Sequence, residues 1–303
     1  PIPPLAEQHR IVAKIEELFS SLDKGIESLK TAQEQLKVYR QAVLKWAFEG
    51  RFGFAQQPRK SWKEGELPEG WEWKKISELS SVVRGGSPRP AGDLKFYNGS
   101  IPFLKVADLT KDNSMYLTSF EYTIKEAGLN KTRQIEPNTL LLTNSGATLG
   151  VPKICKLKAT INDGIAAFLN LDHNHLHYLY YFWLSKTKEL RTINQGAAQP
   201  NLNTNIIQDY DIPLPPTLSE QQFIVSEIEK RLSVCDKIEE SIATSLQQAE
   251  SLRQSILKKA FEGKLVPQDP NDEPASELLK RIKVEREKNP SAQRNIKRRK
   301  ASR

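Results

Sequence analysis

A chain of 303 residues with 38% hydrophobic residues is long enough for about two domains with an ordinary core. Its net charge of +8 sits entirely in residues 275–303, where 11 Lys and Arg face 3 Asp and Glu, while residues 1–274 balance at 34 against 34. This excludes a uniformly basic body, and no apolar run approaches the roughly 20 residues that cross a bilayer.

In chain order, the first element is a long helix opening after Pro3-Pro4 near Leu5. Ile15, Leu18, Leu22, Leu29, Ala32, Leu36, Tyr39, Val43 and Trp46, with Gly25 filling one seam position beside Ile26, recur at spacings of three and four, the seam of a coiled coil. Gly50 reads as its terminator, so the helix measures about 65 Å at 1.5 Å per residue. The stretch occurs twice. A constant offset of 213 carries Leu5–Phe52 onto Leu218–Leu265, placing Glu7-Gln8 on Glu220-Gln221 and Ala47-Phe48-Glu49-Gly50 on Ala260-Phe261-Glu262-Gly263. Two matching helices with one different domain between them do not make a solenoid. In the second copy Arg231, Ser245 and Lys259 interrupt a seam formed by Ile228, Cys235, Ile238, Ile242, Ala249, Leu252 and Ile256.

Residues 53–70, rich in Gln, Pro, Lys and Gly, read as a linker, and 71–213 as a mixed α/β domain. Short strands are expected near Trp71, at Ile101–Leu104, Thr139–Leu142 and Ala166–Leu169. A helix is expected from His175 to Leu190 with Leu176, Leu179, Tyr180, Trp183 and Leu184 on one face. The second long helix occupies 214–266. Residues 267–303 hold a Pro-rich connector, a short charged helix over Ala275–Lys288 and a basic tail. The fold class is therefore α+β, a mixed α/β domain flanked by two long helices pairing as an antiparallel coiled coil.

Catalytic patterns are missing from the sequence. It has no phosphate-binding glycine motif and no nucleophile with partners. Two of His173, His175 and His177 could share a helix face at i, i+4, as zinc ligands do, but no Glu base accompanies them and Asp172 reads as a helix cap. No metal or cofactor is expected on this chain. Cys155 and Cys235 have no metal or CxxC spacing and suit small buried residues in a reducing cytoplasm.

Three loops carry the chemistry of base and phosphate recognition. Arg84-Gly85-Gly86-Ser87-Pro88-Arg89-Pro90 combines two guanidinium groups, able to pair with guanine, with glycines that let backbone approach a ligand. Thr143–Gly150 offers Asn144, Ser145 and Thr148 after a strand. Gln195–Asn203 offers Gln199 and Asn201, amides that suit adenine. Lys105 and Lys111 are candidate phosphate contacts.

Pro213-Leu214-Pro215-Pro216 followed by Glu220-Gln221, Leu257–Leu265 and Val266–Leu279 resemble the DNA-specificity subunit of type I restriction–modification enzymes. Gly70-Trp71, Gly85–Pro88, Gly99–Leu104, Asn144–Ala147 and Gln199–Asn203 are similar to motifs of that family's target recognition domain. The resemblance implies a non-catalytic subunit that reads one half of a bipartite DNA target. It implies modification (methyltransferase) and restriction (translocase and nuclease) subunits as partners, with S-adenosylmethionine, ATP and Mg carried only by those partners. The long helices would set half-site spacing and dock the methyltransferase. A full subunit of the family carries two recognition domains. With one, and without an initiator Met, this chain reads as the C-terminal half of a longer subunit or as a half-subunit that self-associates head to tail. The competing reading is a coiled-coil scaffold whose central domain binds protein or glycan.

Overall fold

The computed structural model describes residues 2–52, 67–193 and 202–288. Helix α1 (Leu5–Phe48) leads to β1 (Glu72–Lys75), α2 (Ile76–Leu79), β2 (Ser81–Arg84), β3 (Tyr97–Leu104), α3 (Val106–Thr110), β4 (Tyr116–Leu117) and β5 (Tyr122–Ile124). A 3-10 turn (Glu126–Lys131) precedes β6 (Arg133–Ile135), β7 (Thr139–Thr143), β8 (Pro152–Cys155), β9 (Ala159–Ile161) and β10 (Ile165–Leu169). A second 3-10 turn (His173–His175) enters α4 (Leu176–Ile193), followed by α5 (Thr204–Gln208), β11 (Asp211–Leu214), α6 (Leu218–Phe261) and α7 (Ala275–Lys288). Both long helices have 44 residues, and the repeat offset maps one onto the other from end to end. Both also stop in the same way. Gly50 and Gly263 adopt φ of +73° and +69°, and Arg51 N–H and Lys264 N–H reach back to Trp46 O and Lys259 O at 2.9 and 2.8 Å. Glycine satisfies the last carbonyls because it alone enters that backbone region without strain.

The chain divides into two compact units, residues 1–37 with 236–303, and residues 38–235. In the first unit Arg10 pairs with Asp272 at 2.6 Å, and Arg253 pairs with Asp23 while its guanidinium lies 4.7 Å from the Phe19 ring centroid. Low numbers of α1 thus meet high numbers of α6, an antiparallel pairing. The predicted seam is only partly covered there: Ile238 and Leu252 are exposed, and Leu18, Leu22, Ile26 and Leu29 are half-buried. Supercoiled heptad packing is an expectation from the sequence.

The second unit contains three sheets. β1 pairs with β11, a five-stranded sheet runs β2-β10-β7-β8-β4, and a four-stranded sheet runs β5-β3-β9-β6. Residues of β7 and β10 alternate between two cores. Leu140, Leu142, Ala166 and Phe168 join the core beneath α4, while Leu141, Ile165 and Ala167 join the core shared with Leu104, Ile135 and Ile161 of the other sheet. Burial on both faces explains why these strands read as continuous apolar runs rather than as alternations.

Helix α4 departs from the one-faced pattern expected of it. Tyr178, Tyr181 and Phe182 are buried as well as Leu179, Tyr180 and Trp183. The five-stranded sheet takes one side, while Phe48 stacks edge-on against Tyr178 and Phe182 at 5.1 and 5.4 Å on another. Asp172 caps its entry as expected, accepting from Asn174 N–H at 2.9 Å. Cys155 and Cys235 are buried and unpaired.

Burial pushes the Tyr178 hydroxyl well above the ordinary tyrosine value, raises Tyr180 to about 12, and raises Tyr181 and Tyr210 further. Their folded pKa values exceed the unfolded value of about 10. Below that pH neither state ionises and nothing is lost; above it the unfolded chain ionises first and is favoured. The urea midpoint is therefore expected to hold between about pH 7 and 9 and to fall steeply above about pH 10. A midpoint flat through pH 11 or so would contradict the buried tyrosines.

Candidate nucleic-acid interface

Two of the three predicted loops meet at a turn that the sequence did not single out, Asn162-Asp163-Gly164 between β9 and β10. The chain passes there from one sheet to the other, so the turn touches loops from both. Arg84 Nε donates to Asp163 O at 2.6 Å, Ser87 Oγ to Asp163 Oδ1 at 2.7 Å, and Arg89 Nη2 lies 3.4 Å from Asp163 Oδ2. One acid thus gathers the whole arginine arm. Arg84 and Arg89 remain exposed, with guanidinium N–H groups left over. Ser87 spends its hydroxyl on Asp163.

Gly85 and Gly86 do not serve a ligand as anticipated. A methyl at Gly85 would stand 2.1 Å from Asn162 O, and one at Gly86 2.5 Å from Lys131 O. They are small because the chain's own backbone crosses them. Gly85 N–H and Gly86 N–H donate to Ile165 O and Ile161 O at 2.9 and 3.1 Å, fixing the arm to both ends of the turn.

The 143–150 loop reaches the same turn. Asn144 N–H donates to Gly164 O at 3.0 Å, and a methyl at Gly164 would lie 2.9 Å from Ser145 Oγ. Asn144 does not face solvent, contrary to expectation. Its side chain is wholly buried, and neither amide atom has a hydrogen-bond partner among the described residues. The reason is backbone geometry, since its carbonyl accepts from Leu202 N–H at 2.7 Å while its own N–H is held by Gly164. Ser145 and Thr148 are half-exposed. Thr143 Oγ1 closes the loop by donating to Thr148 O at 2.6 Å. Gln199 and Asn201 lie outside the described residues.

The Lys105 ammonium rests 3.2 Å from the Tyr122 ring centroid, a cation–π seat beside Val106, whose side chain packs on Gly164. Lys111 is exposed on a segment held from below. The Lys153 side chain, only 3% exposed, donates to Asp112 O and Oδ1 at 2.9 and 2.8 Å and to Ser114 O. This bond holds the Asp112 carboxyl below its ordinary value.

Two of the three clustered histidines take structural partners. His175 Nδ1 donates to Gln221 Oε1 at 2.7 Å, and His177 Nε2 shares a 3.0 Å hydrogen bond with Tyr116 OH. No group of three or more His, Cys, Asp or Glu among the described residues is placed to hold a metal. No helix among them is long and apolar enough to cross a membrane.

The sequence carried one signal for the missed turn, an Asp-Gly pair between two apolar runs. Nothing local shows that Asp163 would face Arg84, 79 residues away.

Residues 68–248, more than half of the chain, match the family model described as the type I restriction modification DNA specificity domain. The type I restriction enzyme EcoBI specificity subunit of Escherichia coli is 29% identical over 94% of this chain and 64% of its own length. The StySPI specificity subunit of Salmonella potsdam is 28% identical over 94% of this chain and 63% of its own. The chain thus spans less than two thirds of these relatives. Among solved structures, a chain from a study of complex assembly in the type I R-M system superposes with a TM-score of 0.69 at 26% identity, covering 87% of this chain and 61% of that one. The HsdS subunit of Thermoanaerobacter tengcongensis gives a TM-score of 0.57, also at 26% identity, covering 88% and 60%.

Proposed function

Because the chain belongs to the type I restriction modification DNA specificity family, we propose that its middle domain, residues 71–213, reads one half of a bipartite duplex target. The observation that carries this reading is the convergence of Arg84, Arg89 and Ser145 around the Asn162–Gly164 turn. Arg84, Arg89, Ser145 and Thr148 read base edges, joined by Gln199 and Asn201. Lys105 and Lys111 contact phosphates. Asn144 and Ser87 organise the loops rather than read. The subunit performs no chemistry. Methyl transfer and cleavage belong to modification and restriction subunits, which bring S-adenosylmethionine, ATP and Mg, in a cytoplasmic complex. The relatives lend no support to a protein- or glycan-binding scaffold.

The long helices act as spacer and docking rail, and the repeat supports a second seat. In one seat, Phe48 of the first copy and Val225 of the second are 8% and 9% exposed within the middle domain's core. Glu220 and Gln221 accept there from Trp71 Nε1 and His175 Nδ1. The repeat equivalents Phe261 and Val12 are 80% and 53% exposed. A second recognition domain belongs on them. A second copy of this chain would supply it only by exchanging helix ends, because Phe48 already covers its Tyr178 and Phe182.

Selection from a random duplex library with the methyltransferase subunit present tests the reading. One enriched short motif is expected, and no enrichment at any salt would sink it.

A further inference from the structure

Three lysines from two chain segments gather at Phe96 and its neighbour Leu94. The Lys95 and Lys131 ammonium groups each lie 5.5 Å from the Phe96 ring centroid. Lys125 Nζ donates to Leu94 O at 2.7 Å, and its backbone N–H to Phe96 O at 2.8 Å. Phe96 is buried in a small core with Tyr97, Phe103 and Ile124, so its position is set by packing rather than by the lysines. All three lysines are exposed, and none forms an ion pair among the described residues. The neighbouring Asp93 carboxylate accepts from the Lys95 backbone N–H at 2.9 Å; Glu126 is the other nearby acid, exposed on the 3-10 turn.

The cluster adjoins the arginine arm. Tyr97 OH donates to Pro88 O at 2.7 Å, and Gly86 packs against Lys131 O. Arg84 and Arg89 therefore sit at one side of a patch whose other side holds three uncompensated ammonium groups. Lysine is a compact, strongly hydrated point charge without the planar fork that reads a base edge. Held against a ring and a carbonyl, it loses less freedom on meeting an anion.

We propose that Lys95, Lys125 and Lys131 form a phosphate anchor, binding the phosphodiester backbone beside the bases read by the arginine arm. The inference rests on the DNA-reading proposal above and extends it to residues with a different task. Base readers change which sequence is preferred, whereas phosphate anchors change affinity for every sequence and its salt dependence.

The test measures Kd of the full chain, with the methyltransferase subunit, for its selected duplex and for a random duplex pool at several concentrations between about 50 and 200 mM salt. In the Lys95→Gln/Lys125→Gln/Lys131→Gln variant, the slope of log affinity against log salt is expected to become shallower by about 3, near one unit per lost contact. Affinity for both duplexes should fall by the same factor and the selected motif should persist. The corresponding triple Lys→Arg variant should keep the wild-type slope. An unchanged slope in the Gln variant, or a loss confined to the selected duplex, overturns the anchor while leaving the DNA reading in place. A wild-type chain that binds no duplex at any salt overturns both.

Discussion

Phe48→Ala is expected to lower the unfolding free energy of the middle unit by roughly 3–5 kcal/mol, the range for truncating a buried aromatic. Phe261→Ala, at the same position of the repeat, is expected to stay within about 0.5 kcal/mol. Both residues end a 44-residue helix, and both precede Glu-Gly. Their surroundings differ. Phe48 is 8% exposed and meets Tyr178 and Phe182 edge-on, contacts that add to its burial. Phe261 is 80% exposed and has little burial to lose. Urea unfolding followed by tryptophan fluorescence measures the first, because Trp183 lies in the core that Phe48 closes, and circular dichroism of the long helices measures the second, which belongs to the unit of residues 1–37 with 236–303. Equal losses would mean that the exposed end of the second copy is packed in solution. A recognition domain added to fill that seat should raise the cost of Phe261→Ala toward that of Phe48→Ala.

The second large effect concerns discrimination rather than stability. Arg89→Ala should cost about 1–3 kcal/mol of binding to the selected duplex, the usual worth of a good base-edge pair. It should cost much less on random duplex. Asp163→Ala should act in the opposite sense on background binding. Removing an acid from beside two arginines raises or preserves affinity for random duplex, while freeing Arg89 and Ser87 from the carboxylate blurs which base is preferred; Arg84 keeps its bond to the main-chain carbonyl of that position. Paired binding curves on selected and random duplexes, with repeated selection on the Asp163 variant, check both. Equal loss on both duplexes would move Arg89 from base reading to phosphate anchoring. An unaltered motif from the Asp163 variant would remove that residue from specificity.

Much of the architecture was legible because it follows from neighbouring residues. The helix repeat, its glycine stops, the Asp172 cap and the Ala275–Lys288 helix all depend on chemistry within a few positions, where hydrogen bonds close locally. The apolar strands Thr139–Thr143 and Ile165–Leu169 were visible for the same reason, though not that they divide their side chains between two cores. The recognition loops were only half legible. Arg84 and Arg89 were identified by side-chain type, but their glycines were assigned to a ligand when they admit the chain's own backbone. Asn144 had a base-reading side chain on a Gly-flexed loop, and tertiary contacts at Gly164 and Leu202 turned it inward.

Strand order decided the rest. Passing from the four-stranded to the five-stranded sheet between Ile161 and Ile165 brings Asp163 beneath the arginine arm. The pairing of β3 with β5 and the turn after it bring Lys131 to the ring of Phe96 beside Lys95, and Lys125 to Leu94 O. A net charge of zero over residues 1–274 hid that cluster, because composition sums charges that the fold keeps apart. The two helix copies show the same division. Matching helix-forming sequence made them equally helical, and only the presence of a domain against one seat buried Phe48 while Phe261 stayed in water.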